Sequence, residues 1–197
     1  LGDINEKKTV FAMIAPAFLK QLGSEVTPGK LRSAFKTLGF AGMIEVALFA
    51  DILTLKEALE FDKAIQNTDD FMLTSCCCPM WIAMIKKVYK TLVPHLPPSV
   101  SPMAACAKAV KKLYPDAVTV FIGPCLAKKA EAREKDILGA VDYVLTFEEV
   151  KEIFEAAGID PGKLEEDLRD HSSAAGRVYA RAGGVSEAVK NTLEKLR

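Results

Sequence analysis

Cysteine is the residue type best placed to do chemistry in this chain, because three of its five copies are consecutive. Cys76, Cys77 and Cys78 directly precede a proline, and Cys125 lies in a second segment further along the chain. Neighbouring cysteines seldom form a disulfide, because their Cβ atoms point apart, and an odd count does not suit a disulfide framework. The pattern therefore favours reduced thiols that bind a metal or react.

Both cysteine segments are predicted to follow a strand and to begin a helix. Free backbone N–H groups and the positive end of the helix dipole stabilise a thiolate or an anionic cluster at such a position. Thiolates from separate loops are the ligands of iron–sulfur clusters, which commonly take four of them. Lys128 follows Cys125 in the first turn of the predicted helix and adds a positive charge beside the site.

The cysteines also allow other interpretations. Cys106 lies on an apolar helical stripe and is expected to be a small core residue. Zinc is a weaker alternative, since the sequence has no Cys-x-x-Cys pair and its only histidines are His95 and His171. A thiol hydrolase would need a histidine base beside a cysteine, and the spacing indicates none. A metal-free thiol protein is a further, weaker interpretation.

The composition narrows the class of protein. Lys plus Arg and Asp plus Glu both total 26, and this balance argues against a dedicated surface for nucleic acid or anionic membrane. The longest apolar run, Val10 to Leu19, contains Pro16 and is too short to span a bilayer. The first residues lack the pattern of a signal peptide, so a cytoplasmic location is expected. The chain also starts without Met, as a fragment or processed product would.

Short β-branched runs alternate with helical patterns along the sequence. Thr54 to Glu57 and Thr146 to Glu149 have the sequence of a capping box, which predicts that a helix begins at each. The alternation predicts one α/β domain over residues 1–197, with a mostly parallel sheet whose carboxyl-end loops carry both cysteine segments. Strands are predicted at Val10–Ile14, Met43–Leu48, Phe71–Thr74, Ala117–Ile122 and Asp142–Leu145, and helices at about 28–38, 54–66, 81–92, 103–113, 126–134, 147–157 and 185–193.

The two cysteine segments resemble motifs of the [FeFe]-type, iron-only hydrogenases. Thr74 to Trp81 is similar to the family's Thr-Ser-Cys-Cys-Pro-x-Trp, with one extra cysteine, and Gly123 to Glu131 is similar to its Met-Pro-Cys-x-x-Lys-Lys-x-Glu. The resemblance implies a large piece of the catalytic domain of such an enzyme, without its third cysteine motif. Further segments match in order and spacing: Ala15-Pro16-Ala17, Asp51 to Phe61, Ser101-Pro102, Val141 to Glu149 and Gly183 to Ala188.

The resemblance also implies which residues hold the family's cofactor, the H-cluster, in which a [4Fe–4S] cluster is linked to a di-iron unit. Cys78 and Cys125 correspond to two ligands of the [4Fe–4S] half. Lys128 corresponds to a lysine that hydrogen-bonds a cyanide of the di-iron unit. Pro124, in the same motif, and Ser101 are expected to help form the cofactor pocket, although Ser101 could instead cap the next helix.

Catalytic roles follow from the same resemblance. Cys77 corresponds to a thiol that passes protons to the di-iron unit, and Glu57 and Glu60 match two glutamates of the proton path from the surface. Glu57 could instead serve only as the third residue of its capping box. A register shifted by one residue would make Cys77 the ligand and Cys76 the relay.

Three departures from the family pattern suggest a divergent branch. Pro97 falls near an expected serine of the proton path, Gly123 replaces a methionine, and the third motif is absent. The leading hypothesis is an enzyme that interconverts protons and H2 with a ferredoxin-like or other iron–sulfur electron carrier. The alternative is a non-catalytic hydrogen sensor or iron–sulfur scaffold of the same fold. The 197 residues alone are expected to carry no H-cluster and to be inactive.

Overall fold

The strands of the protein form one parallel sheet. The computed structural model describes residues 1–67, 69–74, 77–168 and 174–196, and within these ranges the sheet has four strands in the order β2-β1-β3-β4. All three strand pairings are parallel, which confirms the predicted α/β class. The strands are β1 (Val10–Ile14), β2 (Gly42–Glu45), β3 (Val118–Gly123) and β4 (Tyr143–Thr146).

Helices cover both faces of this sheet, so the central strands are apolar on both sides. Phe35 and Phe154 lie on different helices, and their ring centroids are 5.2 Å apart, so those helices share one face. Right-handed crossovers place the connection from β2 to β3 on the other face. The helices are α1 (Gly2–Asn5), α2 (Pro28–Thr37), α3 (Ala47–Ala64), α4 (Pro79–Lys87), α5 (Pro102–Leu113), α6 (Ala127–Glu131), α7 (Phe147–Ala156), α8 (Ala174–Val178) and α9 (Gly184–Leu196).

Side chains cap the starts of two of the predicted helices. Thr27 accepts a hydrogen bond from the Lys30 amide at the start of α2. At the start of α7, the Thr146 and Glu149 side chains each accept from the other's backbone N–H, which forms the predicted capping box. These helix starts were readable because a cap satisfies amides that have no partner within the helix.

The second predicted strand is too long, and the capping box predicted at Thr54 is wrong. The strand ends at Glu45, and α3 begins at Ala47 instead of at Thr54. The Thr54 hydroxyl lies inside α3 and donates to the carbonyl of Ala50, four residues earlier. The early start buries Ala47 and Ala50, and that packing outweighs the local capping signal.

The region before the cysteine triplet also differs from its prediction. Residues 71–74 form no strand, and they lie against the chain through a hydrogen bond from the Leu73 amide to the His95 carbonyl. The helix predicted to reach Leu92 ends at Lys87, and a 3-10 helix follows over Lys90–His95. The assignment of residues 1–197 to one domain stays a prediction.

Candidate functional site

A crevice opens where β1 and β3 end side by side. The strand order reverses between these two neighbours, so the connections after them leave in different directions, and ligands of open α/β sheets bind at such a point. The crevice has a volume of about 240 Å³. Its lining includes Ala15, Pro16, Ala17, Val46, Cys77, Cys78, Pro79, Pro102, Met103, Phe121, Pro124, Cys125, Lys128, Tyr179 and Ala180.

Cys125 reaches the crevice directly from the centre of the sheet. β3 pairs with β1 on one side and β4 on the other, and it ends at Gly123. Pro124 is exposed at the turn, Cys125 is half-buried, and both line the crevice. The short helix α6 follows, and its second residue is Lys128. The sequence prediction that Pro124, Cys125 and Lys128 share one site is therefore matched by their positions.

Cys77 and Cys78 enter the same crevice from irregular structure. Cys78 is the N-cap residue of α4, with extended backbone angles and an exposed side chain, and Pro79 is the first helical residue. Cys77 is half-buried. The Lys128 Nζ donates to the Cys77 carbonyl oxygen at 2.7 Å, which joins the two cysteine segments. Cys76, the relay in the shifted register, lies outside the described residues.

Lys128 also belongs to a buried polar network that the sequence prediction did not include. Its Nζ lies 2.6 Å from Oε2 of Glu131, and both side chains are about nine-tenths buried. The Ser101 hydroxyl donates to the other oxygen of Glu131 and accepts from the Ala104 amide at the start of α5. Ser101 therefore caps a helix, as the alternative prediction held, and is absent from the crevice lining. Spacing by three residues from Lys128 was the signal that could have identified Glu131.

The two glutamates predicted for proton transfer lie on α3, away from the crevice lining. Glu57 is fully buried. Glu60 is three residues further on, and its Oε1 lies 3.5 Å from the Nζ of Lys56. Glu60 lines a separate cavity of about 460 Å³. Because Thr54 does not cap α3, the alternative role of Glu57 as a capping residue is wrong.

Tyr179 is a crevice residue that sequence reasoning missed. Its hydroxyl lies 2.7 Å from Oγ1 of Thr54, which donates its own proton to a backbone carbonyl. The phenol is therefore the donor in this pair. The preceding helix, α8, is fixed by Arg177, whose guanidinium binds the buried Glu45 carboxylate at 2.9 Å. Contacts between residues so distant in sequence leave no local signal.

The neighbours of Gly123 explain why this position has no side chain. A Cβ at this position would lie 2.8 Å from Cε1 of Phe121 and 3.2 Å from Cβ of Ala15. The Phe121 ring, which lines the crevice, therefore occupies the space beside Gly123. A longer side chain here would require the ring to move.

The thiols of the crevice fit part of an iron–sulfur ligand set. Cys78 and Cys125 come from separate loops, as such ligands do. Cys106 is fully buried on α5, outside the crevice lining, and desolvation raises the pKa of its thiol to about 12. No group of three or more His, Cys, Asp or Glu side chains within the described ranges is placed to hold a metal ion. Three described thiols, those of Cys77, Cys78 and Cys125, line the crevice, fewer than the four that a [4Fe–4S] cluster commonly takes.

Comparison with known proteins gives consistent matches. The chain is 33% identical to Iron hydrogenase 1 of Clostridium pasteurianum over 196 residues, covering 91% of this chain and 34% of that protein. It is 31% identical to the Periplasmic [Fe] hydrogenase large subunit of Nitratidesulfovibrio vulgaris, covering 92% and 49%. Among solved structures, the [FeFe]-hydrogenase HydA(deltaEFG) matches with a TM-score of 0.77 and 30% identity, over 96% of this chain and 53% of that one. The chain thus spans about a third to a half of these relatives.

A more distant group of relatives has a different named role. The Cytosolic Fe-S cluster assembly factor NAR1 of Yarrowia lipolytica is 26% identical, over 72% of this chain and 32% of that protein. The family model described as "Iron only hydrogenase large subunit, C-terminal domain" matches residues 8–197. This match covers nearly the whole chain, and it includes the strands and both cysteine segments that form the crevice. The chain belongs to the family of iron-only hydrogenase large subunits, as a C-terminal domain.

Proposed function

We propose that this chain forms part of an enzyme that interconverts protons, electrons and H2. One observation carries the proposal: Cys77, Cys78, Cys125 and Lys128 line the same crevice at the carboxyl end of the sheet. Hydrogenase relatives at 31–33% identity support the same assignment. The reaction is 2H⁺ + 2e⁻ ⇌ H2, and it requires an electron store, a proton supply and a site that excludes water.

Cys78 and Cys125 are the residues proposed to hold iron. The family's H-cluster, when bound, would supply the electron transfer and the H2-forming site. Lys128 would place a fixed positive charge beside that anionic group, and its bonds to Glu131 and the Cys77 carbonyl hold its Nζ at the crevice. Pro124 would form part of the wall. Ser101 contributes through Glu131, because its hydroxyl bonds that carboxylate and not the crevice.

Protons are proposed to travel along α3 to the crevice, where a thiol passes them to the bound cofactor. Glu60 lines a cavity that opens toward solvent, and Glu57 lies one helical turn further on with no exposed surface. A carboxyl group can carry a proton through such a dry region because burial favours its neutral, protonated form. The Cys77 thiol, half-buried in the crevice, would make the last transfer.

Electron transfer partners and location follow from the same proposal. The electron carrier would be a ferredoxin-like or other iron–sulfur protein, with protons and H2 as the small-molecule partners. We propose a cytoplasmic location, which the cytosolic relatives support and the periplasmic one does not. No described helix is both long enough and apolar enough to cross a membrane.

Cys77→Ser and Cys78→Ser in the complete, matured protein test these roles against each other. Serine in place of Cys77 keeps a hydrogen-bonding group but a weaker acid, so the iron content should stay and H2 evolution should fall by about 10²-fold or more. Serine in place of Cys78 removes a ligand, so the [4Fe–4S] signal should be lost. Loss of that signal from the Cys77 variant would instead support the register shifted by one residue.

The isolated 197-residue chain provides the matching control. Its crevice thiols Cys78 and Cys125 supply two ligands, and Cys106 is buried as a neutral thiol. The chain alone should therefore bind less than stoichiometric iron and sulfide and evolve no H2. A full reduced-state [4Fe–4S] EPR signal from it would contradict this part of the proposal.

A non-catalytic hydrogen sensor or iron–sulfur scaffold is the second candidate. It is favoured by Gly123, where Phe121 occupies the space of a longer side chain, and by the relative named as an iron–sulfur assembly factor. Pro97 favours it too, because it offers no hydroxyl for proton transfer. The two candidates separate in one measurement: a fully loaded complete protein that evolves no H2 is a sensor or scaffold.

A further inference from the structure

A separate cavity beside α3 collects titratable side chains around one glutamate of the proposed proton path. It has a volume of about 460 Å³ and is lined by Glu60, Lys63, Asp70 and His95, together with apolar residues. A cavity of this size that carries polar side chains has room for several water molecules. None of the motifs discussed above includes His95.

The hydrogen bonds of His95 determine which ring nitrogen is available. Nδ1 lies 3.0 Å from the carbonyl oxygen of Phe71, and because a carbonyl only accepts, Nδ1 must carry the proton. In the neutral ring Nε2 then keeps its lone pair, and it makes no hydrogen bond to any residue that the structure describes. The ring is stacked on Phe71, with centroids 3.9 Å apart and an interplanar angle of 15°. The His95 ring is thus held in one orientation, and its Nε2 is available to accept a proton.

Glu60 has the complementary feature. Its Oε1 is near Lys56, whereas its Oε2 is buried and has no hydrogen-bond partner in the described part of the chain. A buried carboxylate oxygen is stabilised by water or by a proton. Asp70, which also faces the cavity, accepts from the amides of Gln66 and Asn67, and these bonds lower its pKa. Asp70 therefore stays negative and attracts cations to the entrance.

We propose that His95 is the residue through which protons enter the path at Glu60. Nε2 takes a proton from solvent, which makes the ring an imidazolium while Nδ1 still donates to Phe71. The Nε2–H bond then breaks as the proton passes through cavity water to Oε2 of Glu60, and the neutral ring returns. No electron moves in either step. Imidazole suits this task because it exchanges protons near neutral pH. The inference rests on the proposed function, in which Glu60 and Glu57 conduct protons to Cys77.

His95→Asn in the complete, matured protein tests the proposal. The asparagine amide can still donate to Phe71, but it has no nitrogen that titrates. H2 evolution at neutral pH should fall by about tenfold or more, with an unchanged cluster spectrum, and the deficit should shrink toward acid pH as hydronium replaces the imidazole. Added imidazole should restore the rate, since the open cavity can admit it. An unchanged rate, or a loss that imidazole does not restore, would overturn the role of His95.

A second measurement separates this inference from the proposed function. The 15N NMR signals of the His95 ring are followed as the solution is acidified. Nδ1 should carry the proton of the neutral ring, and Nε2 should be the nitrogen that gains a proton, even if the wild-type protein evolves no H2. A neutral ring that carries its proton on Nε2, or an Nε2 that gains none, would reject the inference whatever the turnover.

Discussion

Cys125 and Cys78 line one crevice, but the chain supports them in different ways. Cys125 comes two residues after β3, a strand paired on both sides and almost completely buried. Cys78 follows irregular chain at 71–74, and only the short helix α4 follows it. The hydrogen bond from Lys128 to the Cys77 carbonyl joins the Cys78 segment to the Cys125 segment. The Cys125 thiol is therefore positioned by the core of the sheet, whereas the Cys78 segment is joined to that side of the crevice through Lys128.

Lys128→Met should have the largest effect on this arrangement. Glu131 would remain buried with Ser101 as its donor but without its cation, at a cost of about 3 kcal/mol in the free energy of unfolding. Without the bond to Cys77, the amides of α4 should exchange faster, whereas those of β3 should stay protected. Urea denaturation and hydrogen exchange by mass spectrometry measure the two effects.

A double variant separates the charge from the tether. Lys128→Met with Glu131→Gln leaves no buried charge at these two positions, and the amide oxygen still accepts from Ser101. Most of the stability should return, while fast exchange in α4 should persist because Cys77 remains untethered. If exchange in α4 recovered along with stability, Lys128 would not be the residue that holds the Cys78 segment in place.

Gly123→Ala tests the segment that depends on the sheet, with a smaller expected effect. The new Cβ would lie 2.8 Å from the Phe121 ring, so the free energy of unfolding should fall by about 1–2 kcal/mol. The added cost should largely vanish in a Phe121→Leu background, where the ring is gone. Gly2→Ala is the matched control, because a Cβ there meets nothing within 4 Å. Equal costs for the two glycine changes would show that Phe121 does not confine Gly123.

The sequence supported the prediction of one cysteine segment better than the other, for a physical reason. The continuous apolar run before Gly123 is the pattern of a strand buried on both faces, and it located Cys125 at the end of one. The apolar run through Met43 was ambiguous, because it continues across the boundary between β2 and α3. That boundary lies beside Glu45, which binds Arg32 and Arg177 from distant elements.

Side-chain pairs within the site also divide into those that the sequence could predict and those that it could not. The pairing of Lys128 with Glu131 is local, and its spacing on α6 could be read from the motif. The contact between Tyr179 and Thr54 joins residues from different parts of the chain, so no window of sequence contains it. The box pattern at Thr54 misled for a related reason: it occurs inside a helix whose start is decided by burial.

Glu149→Gln gives the smallest expected effect and tests a further support of the Cys125 side. The Glu149 carboxylate accepts from Lys129, which lies on α6 after Cys125, and from the Thr146 amide. The Lys129 bond first, and then the Thr146 bond, lowers the pKa of Glu149 in the folded protein. A lowered pKa means that the stabilisation is complete above the unfolded-state value of about 4.3 and is lost as the pH falls through the folded-state pKa.

Because Glu149 and Lys129 are both more than a third exposed, solvent screens the pair and the gain should be only about 0.5 kcal/mol. Glutamine at this position can still accept from Thr146, so the variant isolates the ion pair from the cap. Urea denaturation should show wild type more stable than Glu149→Gln at neutral pH and equal to it in acid. Glu148→Gln is the control, since the Glu148 side chain has no partner among the described residues and its removal should leave no such pH dependence. A difference that persisted unchanged into acid would mean that the Lys129 contact does not fasten α6 to α7.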